Sequence, residues 1–262
     1  MSSRQGRKAA ARQARLAEEA QARAAATRRR RLQALCGAIV AAVAVAAVAV
    51  AISSGGGSAN AASGGKLTGA AFSSSLFAGI PQHGTVLGRP GAPVRLIEFA
   101  DLQCPYCREY TLQALPTLVR DYVRTGKAQM QFENLSFIGP DSVQAGEVAS
   151  AAAAQNKLWN FVDLMYLNQG TENTGYATSS YLRQLLEAIP GLNVAAALSA
   201  SQTPAAASAL TQASDLAARE GINGTPSFLI GPAKGPLRQF QPPTLTAAAF
   251  AATLNGLLGG SR

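Results

Sequence analysis

The sequence predicts an α/β domain carrying an inserted all-helical segment and preceded by a single N-terminal transmembrane helix. Three observations predict it. The β-forming run "APVRLIEFA" (92–100) leads into a proline-started helical pattern, and an alternating run, "AQMQFENLSF" (128–137), follows. Between 141 and 221 the pattern is helical throughout, after which strand-like runs return. Near the N-terminus, 21 uncharged residues, Leu32 to Ile52, follow directly on four arginines.

Residues 1–31 form a basic tail with ten Lys and Arg against two acids, Glu18 and Glu19. The other 231 residues carry 13 basic and 12 acidic side chains, so the net charge of +9 belongs to the tail and the body is nearly neutral. A nucleic-acid surface would interleave aromatics with its basic residues, and this tail has none, so no nucleic-acid partner is expected. At about 1.5 Å per residue, segment 32–52 is long enough to cross a bilayer. Arg28 to Arg31 flank one end and an uncharged Gly/Ser/Ala stretch the other. The positive-inside rule then places the N-terminus in the cytoplasm and everything after Ser53 outside it. A cleaved signal peptide is the alternative, because Ala59-Asn60-Ala61 has the small-residue cleavage pattern. Residues 53–83 are expected to be a flexible linker, although Phe72, Leu76, Phe77 and Ile80 leave open a docked segment.

The body, 84–262, opens with the strand at 92–100. The next helix starts at Pro105 and stops at Gly126, with Pro116 expected to kink it. Strand, helix and strand in that order imply a parallel pair. The insertion 141–221 reads as "SVQAGEVASAAAAQ", "LWNFVDLMYLNQ", "SSYLRQLLEAI" and "PAAASALTQASDLAAREG", with turns at Gly170 to Gly175 and at Pro190-Gly191. "TPSFLI" (225–230) and "GPLRQFQ" read as further strands, and a last helix opens at Thr244 or Thr246.

The chemistry concentrates in "ADLQCPYCREY" (100–110). Its Cys104 and Cys107 admit three readings: a metal clip, a structural staple or a reversible redox pair. Beyond Cys36, which falls in the apolar span as a small filler or a lipidation site, the chain has only these two cysteines and one histidine, His83. A tetrahedral zinc site would need carboxylates to complete it, and a Ser-His-Asp or Cys-His hydrolase would have to use that single histidine. No metal or cofactor is expected. A staple across four residues closes too small a loop to constrain the unfolded chain much. A sulfur at a helix entrance, by contrast, meets unpaired N–H groups and the positive end of the helix dipole, both of which favour thiolate and hence disulfide exchange.

"VRLIEFADLQCPYCREY", the helical insertion and "GINGTPSFLIG" together resemble the DsbA-like thiol:disulfide oxidoreductases, thioredoxin-fold proteins, in their membrane-anchored bacterial form. The resemblance covers roughly 84–258. It implies a thioredoxin fold with Cys104 as nucleophile and Cys107 as resolving cysteine. It further implies that the Thr225-Pro226 peptide is cis and faces the pair, and that Thr225, Pro105 and Tyr106 lie where substrate binds. Glu98 matches the buried acid that buffers the proton of the resolving thiol. Strongly oxidising members carry histidine where this chain has Tyr106, so a less oxidising potential follows. The implied activity is donation of a disulfide to reduced exported proteins, with a quinone-linked membrane thiol oxidase as redox partner and the bacterial cell membrane as location. A reductase or isomerase, and a non-catalytic chaperone or adaptor, are the alternatives.

Overall fold

A computed structural model describes residues 67–260. The basic tail, the 32–52 span with Cys36, and the linker up to residue 66 lie outside the described residues; among those described, no helix is long and apolar enough to cross a membrane.

Six strands form one sheet in the order β1-β2-β4-β3-β5-β6. The central strand β3, Val94–Ala100, runs parallel to β4, Ala128–Asn134, and antiparallel to β5, Ser227–Pro232. The short edges are β1, Gln82–His83, with β2, Val86–Leu87, on one side and β6, Arg238–Phe240, on the other. The parallel pairing follows from the intervening helix, which carries the chain back to the starting edge of the sheet.

The first expectation to be corrected is the linker over 53–83. Residues 70–77 form helix α1, Ala70–Phe77, and 82–83 form β1, so the folded body begins well before residue 84. Phe77 and Ile80 are 3% and 8% exposed, and the Phe77 ring lies 6.4 Å from that of Trp159. Arg124 donates to the carbonyls of Leu76 and Ala78, both at 2.8 Å, satisfying acceptors that the end of α1 leaves free. His83 is an exposed residue of β1.

The expected break at Pro116 is present. Helix α2, Pro105–Gln113, ends there and α3, Leu115–Leu118, restarts with proline in its first turn before one π turn, Val119–Val123. Proline removes the N–H that would have bonded one turn back. Five helices follow β4: α4, Pro140–Ala154; α5, Leu158–Leu167; α6, Ser179–Glu187; α7, Val194–Ser201; and α8, Pro204–Arg219. Helix α7 was not resolved as a separate piece in the sequence, although its N-cap was there: Asn193 accepts from the Ala196 N–H at 3.0 Å. Gly146 lets α4 pack closely, since a Cβ there would come within 2.3 Å of the Asn134 amide. Helix α9, Ala247–Gly259, opens after Thr246.

Side-chain alternation divides the sheet. Val94, Leu96, Phe132, Phe228 and Ile230 join the main core beneath α2, α5 and α9, whereas Ile97, Phe99, Leu229 and Leu135 pack with Ala217 of α8 on the other face. Glu98 shares the parity of Leu96 and so points into the main core.

Candidate active site

The end of β3 delivers the chain to residues 101–104, and four donors hold this turn through one carboxylate. Asp101 Oδ1 accepts from the Gln103 N–H at 2.8 Å and Ser142 Oγ at 2.6 Å; Oδ2 accepts from the N–H groups of Phe137 and Ile138 at 2.9 and 3.0 Å. The helical insertion holds the same turn from above. Tyr166 Oη donates to the Asp101 carbonyl, and Gln169 Nε2 donates to the carbonyls of Leu102 and Cys104. Sequence reading did not single out Asp101, Gln103, Ser142 or Gln169. Only "AD" before the CxxC was a local hint, since an Asp two residues before a turn N–H commonly accepts from it.

The turn sets Cys104 at the N-cap of α2, with φ −67° and ψ 122°, and Pro105 at the first helical position. Cys107, one turn in, is fully buried, while Tyr106 between them is 63% exposed. Both cysteines are free thiols here. Across the sulfur lies the Thr225-Pro226 peptide, which is cis, with the Thr225 carbonyl 3.4 Å from Cys104 Sγ. The structure thus brings Cys104, Cys107, Thr225 and Pro226 together, with Glu98 buried close behind. Pro105 and Tyr106 sit on the open side.

The two sulfurs differ sharply in acidity. The Cys104 thiol is lowered from 9.0 to about 6, chiefly by the hydrogen bond from Cys107; burial opposes this, and the Thr225 side chain and the N–H groups of Cys107 and Tyr106 assist. The Cys107 thiol is pushed well above its ordinary value, first by burial and then by its bond to Cys104 and the charges of Cys104 and Glu98. Glu98 is raised from 4.5 to about 8 by desolvation, with a smaller push from the Cys104 charge. Its flanking residues in register are Phe132 and Phe228, which offer the carboxylate no donor. Among the described residues, no group of three or more His, Cys, Asp or Glu could hold a metal ion.

A sulfur that ionises near neutrality, beside a partner that keeps its proton, is arranged for thiol–disulfide exchange. The protein is a thiol:disulfide oxidoreductase. The family model described as "Thioredoxin" matches residues 82–236, and the chain belongs to that family. It is 31% identical over 147 residues to the probable disulfide bond formation protein D of Bacillus cereus, a match spanning 55% of this chain and 68% of that one. It is 37% identical over 112 residues to the Bacillus anthracis protein of the same description, spanning 41% of this chain and about half, 51%, of that one. The fold is similar to that of oxidised BdbD from Bacillus subtilis, with a TM-score of 0.58 at 21% identity, covering 69% of this chain and 98% of that one.

Proposed function

We propose that the protein is a membrane-tethered, extracytoplasmic enzyme that donates the Cys104–Cys107 disulfide to reduced cysteines of exported proteins. The observation that carries this reading is the split in acidity between the two sulfurs, which makes Cys104 the good leaving group and Cys107 the one needing a proton.

A substrate thiolate attacks Cys104 Sγ; the Cys104–Cys107 bond breaks and its electron pair leaves on Cys107 Sγ. Glu98, protonated at neutral pH, supplies the proton that this buried sulfur requires. A second substrate thiolate then attacks the substrate sulfur of the mixed disulfide, and the pair leaves on Cys104 Sγ as a stabilised thiolate. The substrate loses two electrons and gains a disulfide; the enzyme gains them as a dithiol. Thr225 and Pro226 border the sulfur where an extended substrate can pair with backbone in strand fashion, with Pro105 and Tyr106 on the open rim. A quinone-linked membrane thiol oxidase would take up the two electrons.

Tyr106 favours a second reading, since it offers the Cys104 thiolate no charge. A weaker stabilisation of the reduced form shifts the balance toward a reductase or isomerase on the same fold. The reduction potential of the pair in the full-length protein, equilibrated with glutathione buffers, separates the two. A value of about −120 mV supports donation, one of about −180 mV overturns it in favour of isomerisation, and one of about −270 mV overturns it in favour of reduction.

A further inference from the structure

The main core holds a second buried polar group beside the thiols. Tyr110 lies three residues beyond Cys107, on the same face of α2, and is completely buried. Its ring centroid is 4.9 Å from that of Phe228 and 5.1 Å from that of Phe250. Phe228 is the register partner of Glu98 on the neighbouring strand, so the Tyr110 ring lies over the part of the sheet from which the Glu98 side chain rises. Among the described residues, Tyr110 Oη and Glu98 Oε1 are both buried without a hydrogen-bond partner. A phenol with an unused donor and a carboxyl with an unused acceptor in one apolar setting are complementary, and leaving both unsatisfied is costly.

The groups facing Glu98 limit the other candidates. Helix α2 carries Cys104, Cys107 and Tyr110; α5 carries Tyr166, whose hydroxyl is already committed to the Asp101 carbonyl; β4 and β5 place Phe132 and Phe228 beside Glu98 in register, and Phe250 of α9 packs on Phe228. Asp101 has its four donors elsewhere. Glu98 influences Tyr110, Tyr166 and Cys107 electrostatically, which agrees with their common location.

We propose that one buried water joins Tyr110 Oη to Glu98 Oε1, and that Tyr110 is thereby a positioning residue for the proton that Glu98 exchanges with Cys107. Two polar partners, with the Cys107 sulfur as a third, suit an internal water. Tyr110 donates through this water, stabilises the ionised carboxylate and aligns it toward Cys107. The inference rests on the proton-exchange role proposed above for Glu98, and on nothing else in the donation cycle.

The test uses full-length protein in detergent: wild type, Tyr110→Phe, Glu98→Gln and the double variant. The Phe variant keeps the ring contacts and deletes only the hydroxyl. Infrared difference spectra report the Glu98 carboxyl titration, and single-turnover resolution of a mixed disulfide on Cys104 by attack of Cys107, the reverse of the first donation step, reports the proton step as a function of pH. Tyr110→Phe is expected to raise the Glu98 midpoint by roughly one pH unit and to move the resolution profile with it. In the Glu98→Gln background the same substitution is expected to leave the profile unchanged. A Glu98 titration identical in wild type and Tyr110→Phe overturns the proposal and leaves Tyr110 a packing residue. A resolution profile insensitive to Glu98→Gln overturns instead the underlying proton role of Glu98. Should Tyr110→Phe fail to fold, the wild type and Glu98→Gln still decide: the proposal requires an internal-water O–H band that shifts in ¹⁸O-water and changes frequency in Glu98→Gln, and its absence from the wild type overturns it.

Discussion

Glu98→Gln separates a buried acid from a merely polar strand residue, and its effect on stability follows from the structure. The native carboxyl titrates at about 8 against 4.5 for the ordinary group, so between these values the native chain holds more protons than the unfolded one. Stability from this group is fully present below about pH 4.5 and is lost as pH rises toward 8. Integrating that difference, the ionisable residue destabilises the fold by about 1 kcal/mol at pH 5, about 3 at pH 7 and about 5 at pH 9. Glutamine has nearly the same shape and does not titrate. Its unpaired amide costs about 1–3 kcal/mol, but equally at every pH. The variant's stability relative to wild type is therefore expected to improve steadily from pH 5 to pH 9. Urea denaturation of the two reduced proteins in detergent at pH 5, 7 and 9 measures it. Cys104 contributes to both chains alike and largely cancels. A difference that does not change with pH would refute the argument, because it would mean that burial does not raise the Glu98 carboxyl above its ordinary value.

Three further outcomes are expected. Thiolate absorbance at 240 nm in the reduced protein should titrate with a midpoint near 6, and Cys107→Ala, which removes the largest stabilising contact, should move it upward. Because this value is depressed, the thiolate's contribution to the reduced fold is present above about pH 9 and lost as pH falls through 6, which pH-dependent melting of the reduced protein would show. Asp101→Ala strands four donors, three of them backbone N–H groups, at about 1–3 kcal/mol each where they stay buried; a loss of at least about 3 kcal/mol in urea unfolding is expected. Phe77→Ala should cost about 3–5 kcal/mol if α1 is part of the core, against no change for a residue in a flexible linker.

Local chemistry made the working parts legible from sequence. The β-forming run at 92–100, Pro105, and the Gly126 stop place a CxxC at a strand-to-helix junction, because proline and glycine act on the backbone where they stand. Pro116 likewise announced its own break. The boundary at residue 84 was misplaced because α1 owes its place to contacts with Trp159 and Arg124, distant in sequence.

Only the tertiary structure decided the electrostatics. The burial of Glu98 is decided by both its neighbouring strands, which place phenylalanines beside it. The Asp101 carboxylate joins residues up to 41 positions apart, and Tyr110 and Glu98 share one apolar setting only because α2 packs over the sheet against Phe228, the register partner of Glu98. Sequence by itself determined which groups could react; burial, which depends on the whole chain packing, decided which of them keep their protons.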